Sequence, residues 1–269
     1  MLHLFSLLLL QTAAAVTPEP LPALAKRTMA STVAVLTLSE DAARAQHPVA
    51  DVAGSGVIVA PQIVATCAHV LKRPYVIRTL HVALDTDNWA GGTVKMYVAT
   101  VVDQDPALDL AFLLVRGLPG DPVVLATDAS ELAIGEDAFF LGHPFVVPSL
   151  GLGVIASGEA KITAEDGNAR PMYRLDGSVN HGNSGGGVFS RRTGHLLGLV
   201  HGKAGGLSDP LKQLKDYRPG GRAAVMGVDL LGAFREVLIS METNLQLGVG
   251  AFLGAEHIVQ PLRGVSAKK

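Results

Sequence analysis

Ser184 stands in the run Gly182-Asn183-Ser184-Gly185-Gly186-Gly187, and a serine held between glycines is a candidate nucleophile. Gly182 and Gly185 can take backbone conformations that a Cβ forbids, so the turn can be tight and the hydroxyl can project from it. Such a turn also leaves neighbouring N–H groups convergent and unpaired, which suits a developing oxyanion. Taken alone, the run reads better as an ordinary hairpin turn. A serine is a weak nucleophile near neutral pH and needs a base, and the base needs a third group to orient it. Upstream, His69 lies in Thr66-Cys67-Ala68-His69-Val70 at the end of a strand-like run. Asp109 lies in Asp105-Pro106-Ala107-Leu108-Asp109-Leu110-Ala111, which opens another.

Together these three segments resemble the trypsin-like (chymotrypsin-fold) serine proteases, and most of all the HtrA/Deg branch, whose motifs read T-N-A-H-V, D-x-x-x-D-L-A and G-N-S-G-G. The order His, Asp, Ser is that of the family, and the spacing of 75 positions from Asp109 to Ser184 is typical of it. The resemblance implies an all-β fold of two six-stranded antiparallel β-barrels with a C-terminal helix. It implies Ser184 as nucleophile, His69 as general base and acid, and Asp109 as the group orienting the imidazole. The backbone N–H groups of Gly182 and Ser184 would form the oxyanion hole. The implied activity is that of a serine endopeptidase acting on protein or peptide substrates. A chaperone-like or protein-binding module on the same fold, with little turnover, is the alternative.

In this fold the specificity pocket tends to be set by the residue about six before the nucleophile, here Ser178, and by the strand after it, here Leu199 to Lys203. Neither position carries a carboxylate, which points to a small or medium uncharged residue before the scissile bond. His201 near the pocket either favours Glu or Gln or serves as a hydrogen-bonded wall. Trypsin-like zymogens usually carry Asp just before the serine; Asn183 is uncharged, so no activating cleavage beyond leader removal is expected, including at Lys26-Arg27.

The elements that must position these groups follow the chain in order. Residues 1–15 contain a leucine run too short for a membrane span, which takes roughly 20 apolar residues, and read as a signal peptide ending in Ala13-Ala14-Ala15. Residues 16–30 are expected as a flexible N-terminal segment. From Ser31, short apolar runs broken by Gly, Pro and Asp read as strands. Residues 31–116 form the expected first barrel, with a hairpin turning at Pro61-Gln62 whose second strand delivers His69. Arg116 to Pro122 is a breaker cluster and the candidate linker. Residues 117–229 form the expected second barrel, with Ala223 to Asp229 as its last strand. Residues 230–269 are read as a C-terminal helix and tail, with Leu231, Phe234, Val237 and Leu238 on one packed face. The 28 residues from Glu242 are too few for a PDZ domain, so the resemblance implies a bare protease module.

Composition narrows the partners. A net charge of −2 argues against nucleic acid or an anionic membrane. The leader, with no stable membrane span, points to a secreted or periplasmic protein. Cys67 is the single cysteine, so no intramolecular disulfide is possible; it is read as a small buried apolar residue beside the histidine. His181, His195 and His201 lack the spacing of a zinc site, so no metal and no cofactor is expected. His143 before Pro144 is read as structural. The oligomeric state is left open between monomer and trimer.

Overall fold

The computed structural model describes residues 19–38, 50–71, 79–84, 94–144, 147–164, 167–203, 209–216, 224–225, 228–244 and 248–266. The expected leader, residues 1–15, lies outside them. Six strands, β1 (Thr32–Leu38), β2 (Ala50–Ala60), β3 (Ile63–Cys67), β4 (Thr79–Leu84), β5 (Tyr97–Asp105) and β6 (Leu110–Leu114), close into an antiparallel barrel in the order β1-β2-β3-β6-β5-β4. The β2–β3 turn falls at Pro61-Gln62, where Gln62 takes φ 62°. Branched side chains including Val33, Val35, Ile58, Val64, Val82 and Leu113 fill the barrel, because such residues pack well on a pleated surface.

The second barrel is built from β7 (Asp137–Gly142), β8 (Ser149–Ile155), β9 (Ala160–Thr163), β10 (Ala169–Asp176), β11 (Gly187–Ser190) and β12 (Leu196–Lys203), and a later strand. Of the expected last strand at Ala223 to Asp229, the described residues form two two-residue strands, β13 (Ala224–Val225) and β14 (Val228–Asp229), which among the described residues pair only with each other. The strand that closes the ring is β15 (Val249–Gly254), drawn from the region expected as tail; it pairs with β12 on one edge and β10 on the other. Two glycines, Gly250 and Gly254, hid it as a strand in the sequence; Gly250 lies too close to Val179 to accept a Cβ, whereas Gly254 meets only the carboxylate end of Glu256. The ring therefore runs β15-β12-β11-β7-β8-β10, with β9 hanging from β10 as a hairpin.

Helices cover the ends. The segment expected to be flexible holds α1 (Leu21–Met29), with Pro22 in its first turn, where no N–H bond is lost, and Lys26 and Arg27 in its last, where they favour the carbonyl end of the dipole. Leu24 anchors it in a core shared by both barrels, with Phe112 from the first and Phe139, Phe189 and Leu199 from the second. After α2 (Asp209–Asp216) comes α3 (Leu230–Asn244), the expected C-terminal helix. Its packed face is narrower than the periodicity implied: Leu238 is 2% exposed, whereas Leu231, Phe234 and Val237 are 39%, 46% and 52% exposed. A final helix, α4 (Glu256–Ser266), returns Ile258 and Val265 to the shared core. Among the described residues no helix is long and apolar enough to cross a membrane.

Candidate active site

The shared core brings one end of each barrel together, and the three expected residues arrive there on different elements. His69 sits in a short 3-10 turn, Ala68–Leu71, directly after β3. Asp109 ends the turn between β5 and β6, a turn shaped by the Asp105 carboxylate, which accepts the N–H groups of Ala107 (2.9 Å) and Leu108 (3.1 Å). Asp109 itself has φ 56°, a left-handed conformation that Asp tolerates better than most residues. The strain is offset locally, because its carbonyl accepts the Ala68 N–H at 2.9 Å.

The carboxylate of Asp109 is 3% exposed and its two oxygens have separate tasks. Oδ1 accepts the backbone N–H of His69 at 2.7 Å, and Oδ2 lies 2.5 Å from His69 Nδ1. Burial pushes the carboxyl up, but hydrogen bonding to His201 and His69 and then their charges outweigh it and hold the group well below the usual carboxylate range. An ionised carboxylate only accepts, so the His69 proton belongs on Nδ1 and Nε2 is left as a base. The His69 side chain is 42% exposed, open to an incoming molecule.

Ser184 is carried between β10 and β11. Gly182 (φ 96°) and Gly185 (φ 80°) take conformations that a side chain resists. A Cβ on Gly182 would strike the His143 carbonyl, and one on Gly185 would strike the Ser55 carbonyl and the Thr66 hydroxyl. Among the described residues, neither the Gly182 nor the Ser184 N–H donates to a protein acceptor. The Ser184 hydroxyl donates to the His201 carbonyl at 3.2 Å.

Ser55 is a residue whose part the sequence did not reveal. Its N–H donates to the Ser184 carbonyl (2.8 Å), its hydroxyl donates to the Gly182 carbonyl (2.7 Å), and that hydroxyl accepts the His143 N–H (2.9 Å). Thr66 in turn donates to the Ser55 carbonyl at 2.7 Å. The signal available was the Gly54-Ser55-Gly56 run, legible as part of a hairpin and as a further match to the family pattern, with no role attached to Ser55. His143 is fully buried in this network, in keeping with the structural part expected of it.

Of the two residues expected at the specificity pocket, Ser178 is exposed in the segment after β10. The imidazole of His201 is turned to Asp109: Nε2 lies 2.7 Å from Oδ2, without the geometry of a hydrogen bond. Cys67 is buried as expected; burial and then the Asp109 charge push its thiol up, and Sγ donates to the Val200 carbonyl at 3.3 Å. Cys67, His69 and Asp109 lie close enough to converge on an ion, but His69 Nδ1 and Asp109 Oδ2 already pair with each other. At the surface, Glu159, Glu256 and His257 are also close. Their donors already pair internally, His257 with Glu159 at 2.6 Å and Tyr173 with Glu256 at 2.8 Å. His195 pairs with Glu131 at 3.1 Å, and His181 is exposed.

Comparison with known proteins matches residues 54–199, more than half of the chain, to the family described as trypsin-like peptidase domain. The chain is 30% identical over 157 residues to the serine protease Rv3671c of Mycobacterium tuberculosis, which covers 56% of this chain and 36% of that protein. It is 28% identical over 130 residues to the serine endoprotease DegS of Escherichia coli, covering 48% and 36%. The chain thus matches about a third of the length of these relatives. Among solved structures, the active form of the Rv3671c protease superposes with a TM-score of 0.58 at 22% identity, covering 93% of this chain and 88% of that one. The HtrA-type protease AlgW with a decapeptide gives 0.60 at 18%, covering 91% and 66%. These structural likenesses are likenesses of fold.

Proposed function

The chain belongs to the trypsin-like peptidase family, and from that membership we propose that it is a serine endopeptidase cutting peptide bonds through Ser184, His69 and Asp109. The observation that carries the reading is the 2.5 Å contact of His69 Nδ1 with Asp109 Oδ2, which leaves Nε2 as the free base. Ser184 Oγ attacks the substrate carbonyl while His69 Nε2 takes its proton. The resulting oxyanion is held by the N–H groups of Gly182 and Ser184. The C–N bond breaks as His69 returns the proton to the leaving amine, and a water molecule releases the acyl group by the same route.

Substrates of this reading are proteins or peptides, with a small or medium uncharged residue before the scissile bond and Ser178 lining its pocket. A secreted or periplasmic destination belongs to the same proposal; it rests on residues 1–15 alone, and N-terminal sequencing of the exported chain tests it. Hydrolysis of an unfolded protein such as reduced casein by the wild type, and not by Ser184→Ala, tests the activity. Equal loss of substrate with both proteins would contradict it.

One contact favours a second reading. The Ser184 hydroxyl is engaged by the His201 carbonyl rather than by His69, as suits a site at rest or a module that binds chains without cutting them. If Ser184→Ala suppresses aggregation of an unfolding client as well as the wild type does, and neither cleaves it, the binding reading takes precedence.

A further inference from the structure

Beside β10 the second barrel holds an open cavity of about 380 Å³ whose lining includes none of His69, Asp109 and Ser184. Its size falls within the roughly 300–1,000 Å³ of pockets that take small organic ligands. Ala126, Leu132, Val259 and the ring of Tyr173 give it apolar walls, and its charged groups are two carboxylates, Asp128 and Glu256. No Lys, Arg or His stands among the described residues that line it.

Both carboxylates are held in place. Tyr173 stacks on the buried Phe252 with ring centroids 5.2 Å apart, which fixes the ring, and its hydroxyl donates to Glu256 Oε1 at 2.8 Å. Burial and then this bond push the Tyr173 hydroxyl up in pKa, so it stays a donor. Gly254 contributes by what it lacks, since a Cβ there would take the space of both Glu256 carboxylate oxygens. Asp128 accepts the Ser130 N–H at 2.8 Å as the cap of a 3-10 turn, and that bond holds its carboxyl below the usual range. The neighbouring cations pair with carboxylates outside the cavity, His257 with Glu159 at 2.6 Å and Arg192 with Glu136 at 3.9 Å. Because α4 begins at Glu256, the positive end of that helix is answered by the chain's own carboxylate.

We propose that this cavity is a binding site for an organic cation, an ammonium or guanidinium group on an aliphatic body. The walls bury the body, the two carboxylates take the charge, and an aromatic wall adds attraction for a cation. An anion would meet two like charges. A metal ion fits worse, because it needs a shell of oxygen or nitrogen ligands and the apolar walls offer none. A free amine and the basic side chain of a polypeptide carry the same chemistry. The proposal is independent of the peptidase reading.

The test titrates n-butylguanidinium into the full-length, isotope-labelled Ser184→Ala chain, in which a peptide ligand stays intact, and follows the amide resonances of Thr127, Asp128 and Gln260. Saturable shifts at about millimolar concentration are expected, the affinity of a ligand this small. n-Butylurea has the same shape without the charge and should bind about tenfold more weakly or worse, the scale of one hydrogen bond to a charged group. Glu256→Gln keeps an acceptor for Tyr173 but loses the charge, and should weaken butylguanidinium by a similar factor. Ala129→Trp, at an exposed position on the lining, fills the cavity and should abolish binding; it carries the test if Glu256→Gln does not fold. A blocked Ala-Ala-Arg-Ala-Ala peptide identifies the source: binding at the same resonances marks a basic side chain, and its failure beside bound butylguanidinium marks a free amine. Unmoved resonances, equal binding of butylurea, or wild-type affinity in either folded variant would overturn the proposal, as would shifts with Zn²⁺ or Ca²⁺ in a chain that ignores butylguanidinium.

Discussion

The Ser55 hydroxyl donates to the Gly182 carbonyl at 2.7 Å, so a residue of the first barrel holds the turn of the second that carries the nucleophile. Removing it leaves a half-buried carbonyl without its protein donor, at a cost of about 1 kcal/mol, and frees the peptide whose neighbour is to bind the oxyanion. Ser55→Ala is expected to lower kcat/KM by up to about 100-fold through displacement of that donor. Urea unfolding followed beside the kinetics distinguishes a displaced turn from a chain that has lost its fold.

Gly182 has φ 96°, and a Cβ there meets the His143 carbonyl. Gly182→Ala is therefore expected to turn its own N–H away from the site and reduce kcat by on the order of 100-fold or more, the usual cost of one lost oxyanion donor. Active-site titration with a serine-directed phosphonate checks it: slow labelling of a folded chain is the expected result.

For Asp109, Asn is the informative replacement, because Asn also tolerates the left-handed backbone at φ 56°. Asp109→Asn is expected to cut kcat by about 10,000-fold, the scale seen when the imidazole is offered the wrong tautomer partner. It should also alter acid stability. The folded-state acidity of Asp109 lies below its unfolded value of about 3.9, so its contribution is fully present above that pH and is lost as pH falls through the folded value. The pH dependence of thermal unfolding should therefore match in Asp109→Asn and wild type above about pH 4, and below that pH stability should fall less steeply with acid in Asp109→Asn.

The pairing of His69 with Asp109 and the glycine turn that carries Ser184 were legible in the sequence because each belongs to a short local motif. What escaped was non-local. The bond from Ser55 to Gly182 spans 127 residues, and no spacing rule connects two such positions. His201 was read from its place after the nucleophile as a pocket residue, but a single unpaired position in β12 turns its ring to Asp109. In the fold, alternation disclosed the first barrel, whereas β15 was hidden by Gly250 and Gly254. The exposure of Phe234 and Val237 on α3 was likewise hidden, since amphipathic spacing states that a face exists and not that anything covers it.

Cys67 lies two residues before His69 yet is expected to be inert. Its buried thiol is pushed up in pKa and donates to the Val200 carbonyl, so little thiolate forms near neutral pH. Ellman's reagent should leave the native chain unmodified and react with one thiol in guanidinium. Rapid reaction of the native chain would place Cys67 nearer the surface than its burial implies.

Reaction of the folded chain with a fluorophosphonate, read by intact mass, tests the central claim most directly, because it asks only whether Ser184 is an activated nucleophile. The wild type should gain one phosphonyl group, and Ser184→Ala and His69→Ala should gain none under the same conditions. Labelling that persists in Ser184→Ala, or none in a folded wild type, would contradict the account.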